Sequence, residues 1–137
     1  MTTEMGRPTT AEDLGTGGLQ LRMVAGPAAF VVDEPVELGG LDLGPTPHEL
    51  VQAALASCTL QTIRMYAKRK GWALGAVRAK VVLTRDATRN PPDHFVRAIT
   101  FPADLPGDRR ARLLEIAEIC PIHRMLTRGA TVETNAT

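Results

Sequence analysis

Cys58 and Cys120 are the two cysteines of this 137-residue chain and the residues best suited to chemistry. A thiolate attacks peroxides and disulfides. Two cysteines brought together support a cycle in which a sulfenic acid on one condenses with the other to a disulfide. Their settings differ. Cys58 lies in the stretch Leu50 to Leu60, where only Gln52, Ser57 and Thr59 are polar besides the thiol. Cys120 precedes Pro121. Pro121 suits the first position of a short helix running to about Leu126, which would put Cys120 near its N-cap, where backbone N–H groups favour a thiolate. Cys58 gets no such help from its own helix, so its activation needs a cation or donor supplied by the fold. Arg22, Arg64, His123 and Arg124 are the candidates. Local sequence therefore favours Cys120 as the thiolate. The plainer alternative for either residue is a small core side chain. Cys58, Cys120, His48 and His123 lack standard metal-ligand spacing, so no metal is expected.

The element that carries Cys58 has a well-marked start. Thr46 suits an N-cap, Pro47 the first helical position, and Thr46-x-x-Glu49 forms a candidate capping box. That capping role is the simpler account of Glu49, and a solvated side chain is the simpler account of His48. The helix runs from Pro47 to about Lys70. Its first half is apolar nearly all round, a pattern that calls for cover on every side, and a chain this short supplies that most easily by dimerising. The apolar run is too short to span a bilayer. Lys68, Arg69 and Lys70 fall in the last turn, and Gly71 suits the C-cap.

Before this helix, Leu19, Leu21 and Met23 alternate with polar residues as in a strand. Ala25-Gly26-Pro27 reads as a turn into a second strand, Ala29 to Val32. Beyond the helix, Val77 to Thr84 and His94 to Phe101 read as a second hairpin. A helix follows from Asp108, its expected N-cap, to about Ile119, with Cys120 on its apolar face. Ala130 to Thr134 suits a last short strand. The order gives an α+β fold with antiparallel sheet packed on helices. Residues 1–18 read as a flexible arm and 19–137 as one domain.

Charge excludes some partners. Lys plus Arg total 16 and Asp plus Glu 15, leaving a net charge of +1. With no long basic run and only one Trp, one Tyr and three Phe, no nucleic-acid partner is expected. The N-terminus lacks the apolar core of a secretory signal, so the expected location is the cytoplasm, where thiols stay reduced.

Three motifs together carry a resemblance. They are Gly39-Gly40-x-Asp42-x-Gly44-Pro45-x-Pro47-x-Glu49-Leu50, then Ala53-Ala54-Leu55-Ala56-Ser57-Cys58-Thr59, then Ile119-Cys120-Pro121-Ile122-His123-Arg124. Over roughly residues 19–136 the chain resembles the OsmC/Ohr family. The resemblance implies an intertwined homodimer, with antiparallel sheets wrapped around long central helices and active sites at the interface. It implies reduction of organic hydroperoxides without metal or cofactor, with Cys58 peroxidatic and Cys120 resolving. A dithiol reductant, in some members a lipoylated protein, would then restore the thiols. This reverses the order of the cysteines that local sequence favours. The resemblance has one departure. Peroxidase members carry a glutamate ten residues before the first cysteine and an arginine that pairs with the thiolate. Here the tenth position before Cys58 is His48 and Glu49 is the ninth, about 100° further round the helix. Arg22 is the nearest candidate for the arginine, with Arg124 a further supporting cation. The alternative function is a non-enzymatic dimer that binds a small apolar ligand or senses oxidants.

Overall fold

The computed structural model describes residues 2–137. The elements, in chain order, are β1 (Thr9–Asp13), β2 (Leu21–Ala25), β3 (Ala28–Val32), a single 3-10 turn at Val36–Leu38, α1 (Pro47–Arg69), β4 (Arg78–Arg85), β5 (Asp93–Thr100), α2 (Gly107–Ala117) and α3 (Pro121–Arg128). The α+β class expected from sequence holds. The chain divides into two compact units, residues 1–50 and 51–137.

In the first unit β1, β2 and β3 form an antiparallel sheet in that order. Gly26, at φ +57°, makes the tight turn between β2 and β3. The sequence gives no sign of β1: all five of its residues are exposed, so burial imposes no alternation, and backbone pairing with β2 alone defines it. A strand therefore lies inside the stretch read as an arm. The glycine-rich loop that follows β3 is organised by Asp33, which is 1% exposed. One carboxylate oxygen accepts from Gln20 Nε2 at 3.0 Å and the Glu34 N–H at 2.8 Å. The other accepts from the N–H groups of Leu41 and Leu43, each at 3.1 Å. Burial alone would raise the Asp33 pKa, but these donors outweigh it and hold the carboxyl below its ordinary value. The loop closes tightly enough that a Cβ on Gly40 would overlap the Glu34 carbonyl, and one on Gly44 the Val31 carbonyl. Asp42 sits at φ +56°. The double-glycine motif is thus a backbone requirement of this loop.

α1 starts as read. The Thr46 N–H donates to Glu49 Oε1 at 2.9 Å, and the Glu49 N–H donates to Thr46 Oγ1 at 3.1 Å. It ends at Arg69 and is closed just beyond by Gly71 at φ +70°, whose N–H donates to the Lys68 carbonyl at 3.1 Å while that of Trp72 donates to the Ala67 carbonyl at 2.9 Å. Its apolar half is not covered on every side within one chain: Leu55, Thr59 and Ile63 are buried, but Val51, Ala53 and Ser57 are exposed. Its polar residues turn inward on the helix. Ser57 donates to the Ala53 carbonyl at 2.7 Å and Thr59 to that of Leu55 at 2.6 Å.

The core of the second unit joins Ile63, Tyr66 and Ala67 of α1 with Phe101 after β5 and Leu113, Ile116 and Ala117 of α2. β4 and β5 pair antiparallel from Arg78–Thr100 to Arg85–Asp93. Two expectations fail here. Asp108 is not the N-cap of α2: the helix starts a residue earlier, at Gly107, after an extended Pro106, which leaves Asp108 in the first turn to face the helix dipole. Residues 130–134 form no strand, and Val132 is 90% exposed; alternation over five residues cannot make a strand without a neighbour to pair with.

Candidate active site

The second cysteine is set in place by how α2 ends. Its last N–H groups bond three residues back, Glu118 to Glu115 at 3.1 Å, Ile119 to Ile116 at 3.1 Å and Cys120 to Ala117 at 3.3 Å. This tight turn cannot continue, because Pro121 disfavours helical geometry in the residue before it. Cys120 accordingly lies at φ −53°, ψ 131° and serves as N-cap of α3, with Pro121 in its first turn. The N-cap expectation holds, although no side-chain capping bond is made. Cys120 is fully buried; Cys58, on α1, is partly buried.

The fold brings the two cysteine side chains near each other. The N–H of Ile122, one of the first-turn donors that an α-helix leaves without an internal partner, lies near Cys58 and favours its thiolate. Burial pushes the Cys58 thiol above its ordinary pKa, and the neighbouring Cys120 adds to this. The Ile122 N–H and the Thr62 hydroxyl pull the other way but do not prevail. Thr62 also donates to the Cys58 carbonyl at 2.8 Å, and its single proton cannot serve both atoms at once. In the reduced state the protonated thiol of Cys58 is therefore favoured over the thiolate more than in an unperturbed cysteine. The donor sought from the fold is an N–H at the start of α3, so the helix terminus expected to favour Cys120 also serves Cys58.

The other candidates separate. Arg64 donates to the Leu74 carbonyl and, at 2.7 Å, to that of Gly75, so it fastens the segment after α1. Arg124 is exposed on α3. Arg22 is an exposed residue of β2, opposite Glu12 and Val31. His48 is exposed in the first turn of α1, and Glu49 is engaged in its capping box. His123 is partly buried beside Ile122 and belongs to a polar cluster centred on an arginine that sequence reading missed.

That residue is Arg97 of β5. It donates from Nη1 to Thr59 Oγ1 at 3.0 Å and from Nη2 to His123 Nδ1 at 3.1 Å. It lies 3.7 Å from Glu118 Oε1, and Glu118 Oε2 is 3.3 Å from His123 Nε2. Arginine can only donate, so Nδ1 must accept, and the proton of the neutral imidazole belongs on Nε2, facing Glu118. A signal was present: Phe95, Arg97 and Ile99 share the inward register of β5, and a cation there needs partners.

A family model described as OsmC-like protein matches residues 39–135, a span that contains both cysteines and the glycine loop. The chain belongs to the OsmC-like family. Its fold is also that of solved OsmC-like structures. A protein from Psychrobacter arcticus, described as a putative osmotic stress induced and detoxification response protein, superposes with a TM-score of 0.72 at 21% identity over 90% of each chain. An OsmC-like protein from Mycoplasma pneumoniae gives 0.69 at 16% identity, over 91% of this chain and 89% of that one. An organic hydroperoxide resistance protein from Elizabethkingia anophelis gives 0.65 at 25% identity, over 94% and 92%. Among curated proteins no match is found. Among the described residues no helix is long and apolar enough to cross a membrane.

Proposed function

We propose that this OsmC-like chain reduces organic hydroperoxides through a Cys58/Cys120 dithiol. The observation that carries the reading is the nearness of the two cysteine side chains, beside the Ile122 N–H, from positions far apart in the chain. The Cys58 thiolate attacks the outer oxygen of ROOH. The O–O bond breaks, the alkoxide takes a proton and leaves as ROH, and Cys58 becomes a sulfenic acid. Cys120 then attacks that sulfur, water leaves, and a disulfide forms. A small or protein-borne dithiol, a lipoyl group among them, returns two electrons and two protons by exchange. The names of the Elizabethkingia relative and of another from Legionella pneumophila, both organic hydroperoxide resistance proteins, agree with this substrate class. A cycle that starts from reduced thiols suits a reducing compartment such as the cytoplasm. A homodimer with its sites at the interface would cover the exposed side of α1; sedimentation analysis tests it.

The deciding experiment titrates reduced protein with cumene hydroperoxide and, separately, hydrogen peroxide, following free thiols and intact mass. Rapid loss of both thiols to organic peroxide as an intramolecular disulfide is expected. Cys58→Ser should abolish turnover, and Cys120→Ser should leave a trapped sulfenic acid. Equal activity in wild type and Cys58→Ser overturns the reading. The ligand-binding alternative has one observation in its favour, an open cleft of about 480 Å³ lined by Leu60, Ile63, Met65, Leu74 and Val77 with Gln61 and Arg64. Cys58 is not in its lining, so binding there would leave thiol reactivity unchanged.

A further inference from the structure

We infer that Arg97 is a positioning residue for the dithiol: by bonding Thr59 and His123 at once, it holds the start of α3 against α1 at the point where the two cysteines meet. Thr59 follows Cys58 in sequence, and His123 follows Ile122, whose N–H lies near Cys58. One guanidinium thus ties the immediate neighbour of each partner in that contact, at 3.0 and 3.1 Å. Both tied positions are themselves fixed. Thr59 is fully buried and donates its own proton to the Leu55 carbonyl, so its oxygen is left as an acceptor for Arg97. His123 is oriented from its other nitrogen by Glu118, which lies in the turn leading to Cys120.

An arginine present only to neutralise Glu118 would not need this geometry. Its side chain is 11% exposed, whereas that of Glu118 is 66% exposed, and their 3.7 Å separation is the loosest contact in the cluster. The close bonds go to two neutral acceptors on different helices. A planar fork with two separated N–H groups can span such a pair, and a lysine cannot do so with the same geometry.

The consequence is chemical. Disulfide closure between Cys58 and Cys120 depends on how often the two sulfurs are in register, which is an effective concentration set by the rigidity of what holds them. This inference rests on the dithiol reading above but not on peroxide as oxidant. Its test therefore uses glutathione. Protein equilibrated in reduced and oxidised glutathione partitions between the intramolecular disulfide (two glutathione thiols replacing one oxidised glutathione) and a mixed disulfide on one cysteine. Mass spectrometry measures both. Wild type should form the intramolecular disulfide. Arg97→Gln should shift the balance toward the mixed disulfide by about tenfold or more, and Arg97→Lys should fall between. Arg112→Gln, which removes an arginine that bonds Tyr66, should behave as wild type. His123→Asn keeps an acceptor near the Nδ1 position and should retain closure, whereas His123→Leu should not; this pair carries the test if the Arg97 variants do not fold. Nitrogen NMR should find Nδ1 of His123 as the bare acceptor in wild type and lose that signature in Arg97→Gln. Unchanged partitioning in Arg97→Gln, or equal partitioning in the two His123 variants, overturns the positioning role and leaves the peroxidase reading standing. Normal closure in glutathione without any peroxide turnover does the reverse.

Discussion

Cys58 bears two opposing influences, and their balance decides how it reacts. Burial and the adjacent Cys120 thiol outweigh the Ile122 N–H and the Thr62 hydroxyl. The rate of Cys58 alkylation should therefore rise with pH to a midpoint above that of an ordinary cysteine, and Thr62→Val should move it higher. Mass-mapped iodoacetamide kinetics measure both. A midpoint near 7 would mean that a cation reaches the sulfur. The same shift affects stability: above the pKa of the unfolded cysteine the native state still holds its proton while the unfolded chain has released one, so stability should decline as pH rises through that window. Asp33 runs the opposite way. Its native pKa is depressed, so its contribution is complete at neutral pH and is lost as pH falls through the carboxylate range. Asp33→Asn should be less stable than wild type at pH 7, because an amide NH2 must then face two N–H donors. Denaturant titrations of the two proteins should converge in acid.

At the scale of elements, much of what positions the site was legible. The Thr46/Glu49 capping box, the Gly71 C-cap and the break at Cys120–Pro121 are local rules, each carried by residues within a few positions of one another, and all appear in the structure. What stayed hidden depends on partners distant in the chain. β1 exists because β2 offers it an edge, and Arg97 matters because α1 and α3 both converge on it. The last expected strand failed for the same reason in reverse: its alternation was present, but among the described residues no strand pairs with it. The glycine motif was read as a family mark; its physical cause is the crowding of the loop backbone against Glu34 and Val31. Gly44→Ala should therefore be severely destabilising, since backbone and not a flexible side chain must give way. Thr46→Ala should cost only about 1 kcal/mol, the usual worth of an N-cap. Thermal melts of the two variants distinguish these cases, and equal effects would contradict the loop geometry.

At the scale of the whole molecule, family membership and fold stand together, while His48 stands where the resemblance to peroxidase members leads one to expect a glutamate. The structure offers the start of α3 as the local donor to Cys58 instead. The meeting of the two sulfurs also has a thermodynamic side. They lie 62 positions apart in the chain, so a bond between them would close a long loop in the unfolded state, and chain entropy alone then favours the native form by about 4 kcal/mol. The oxidised protein should melt at a higher temperature than the reduced one, which calorimetry on the two forms would measure. By the same cycle, the folded chain would make such a disulfide harder to reduce than one in a short peptide. Each turnover would then leave the protein in its most heat-resistant form, and recovery would fall to a reductant with a potential low enough to work against the fold.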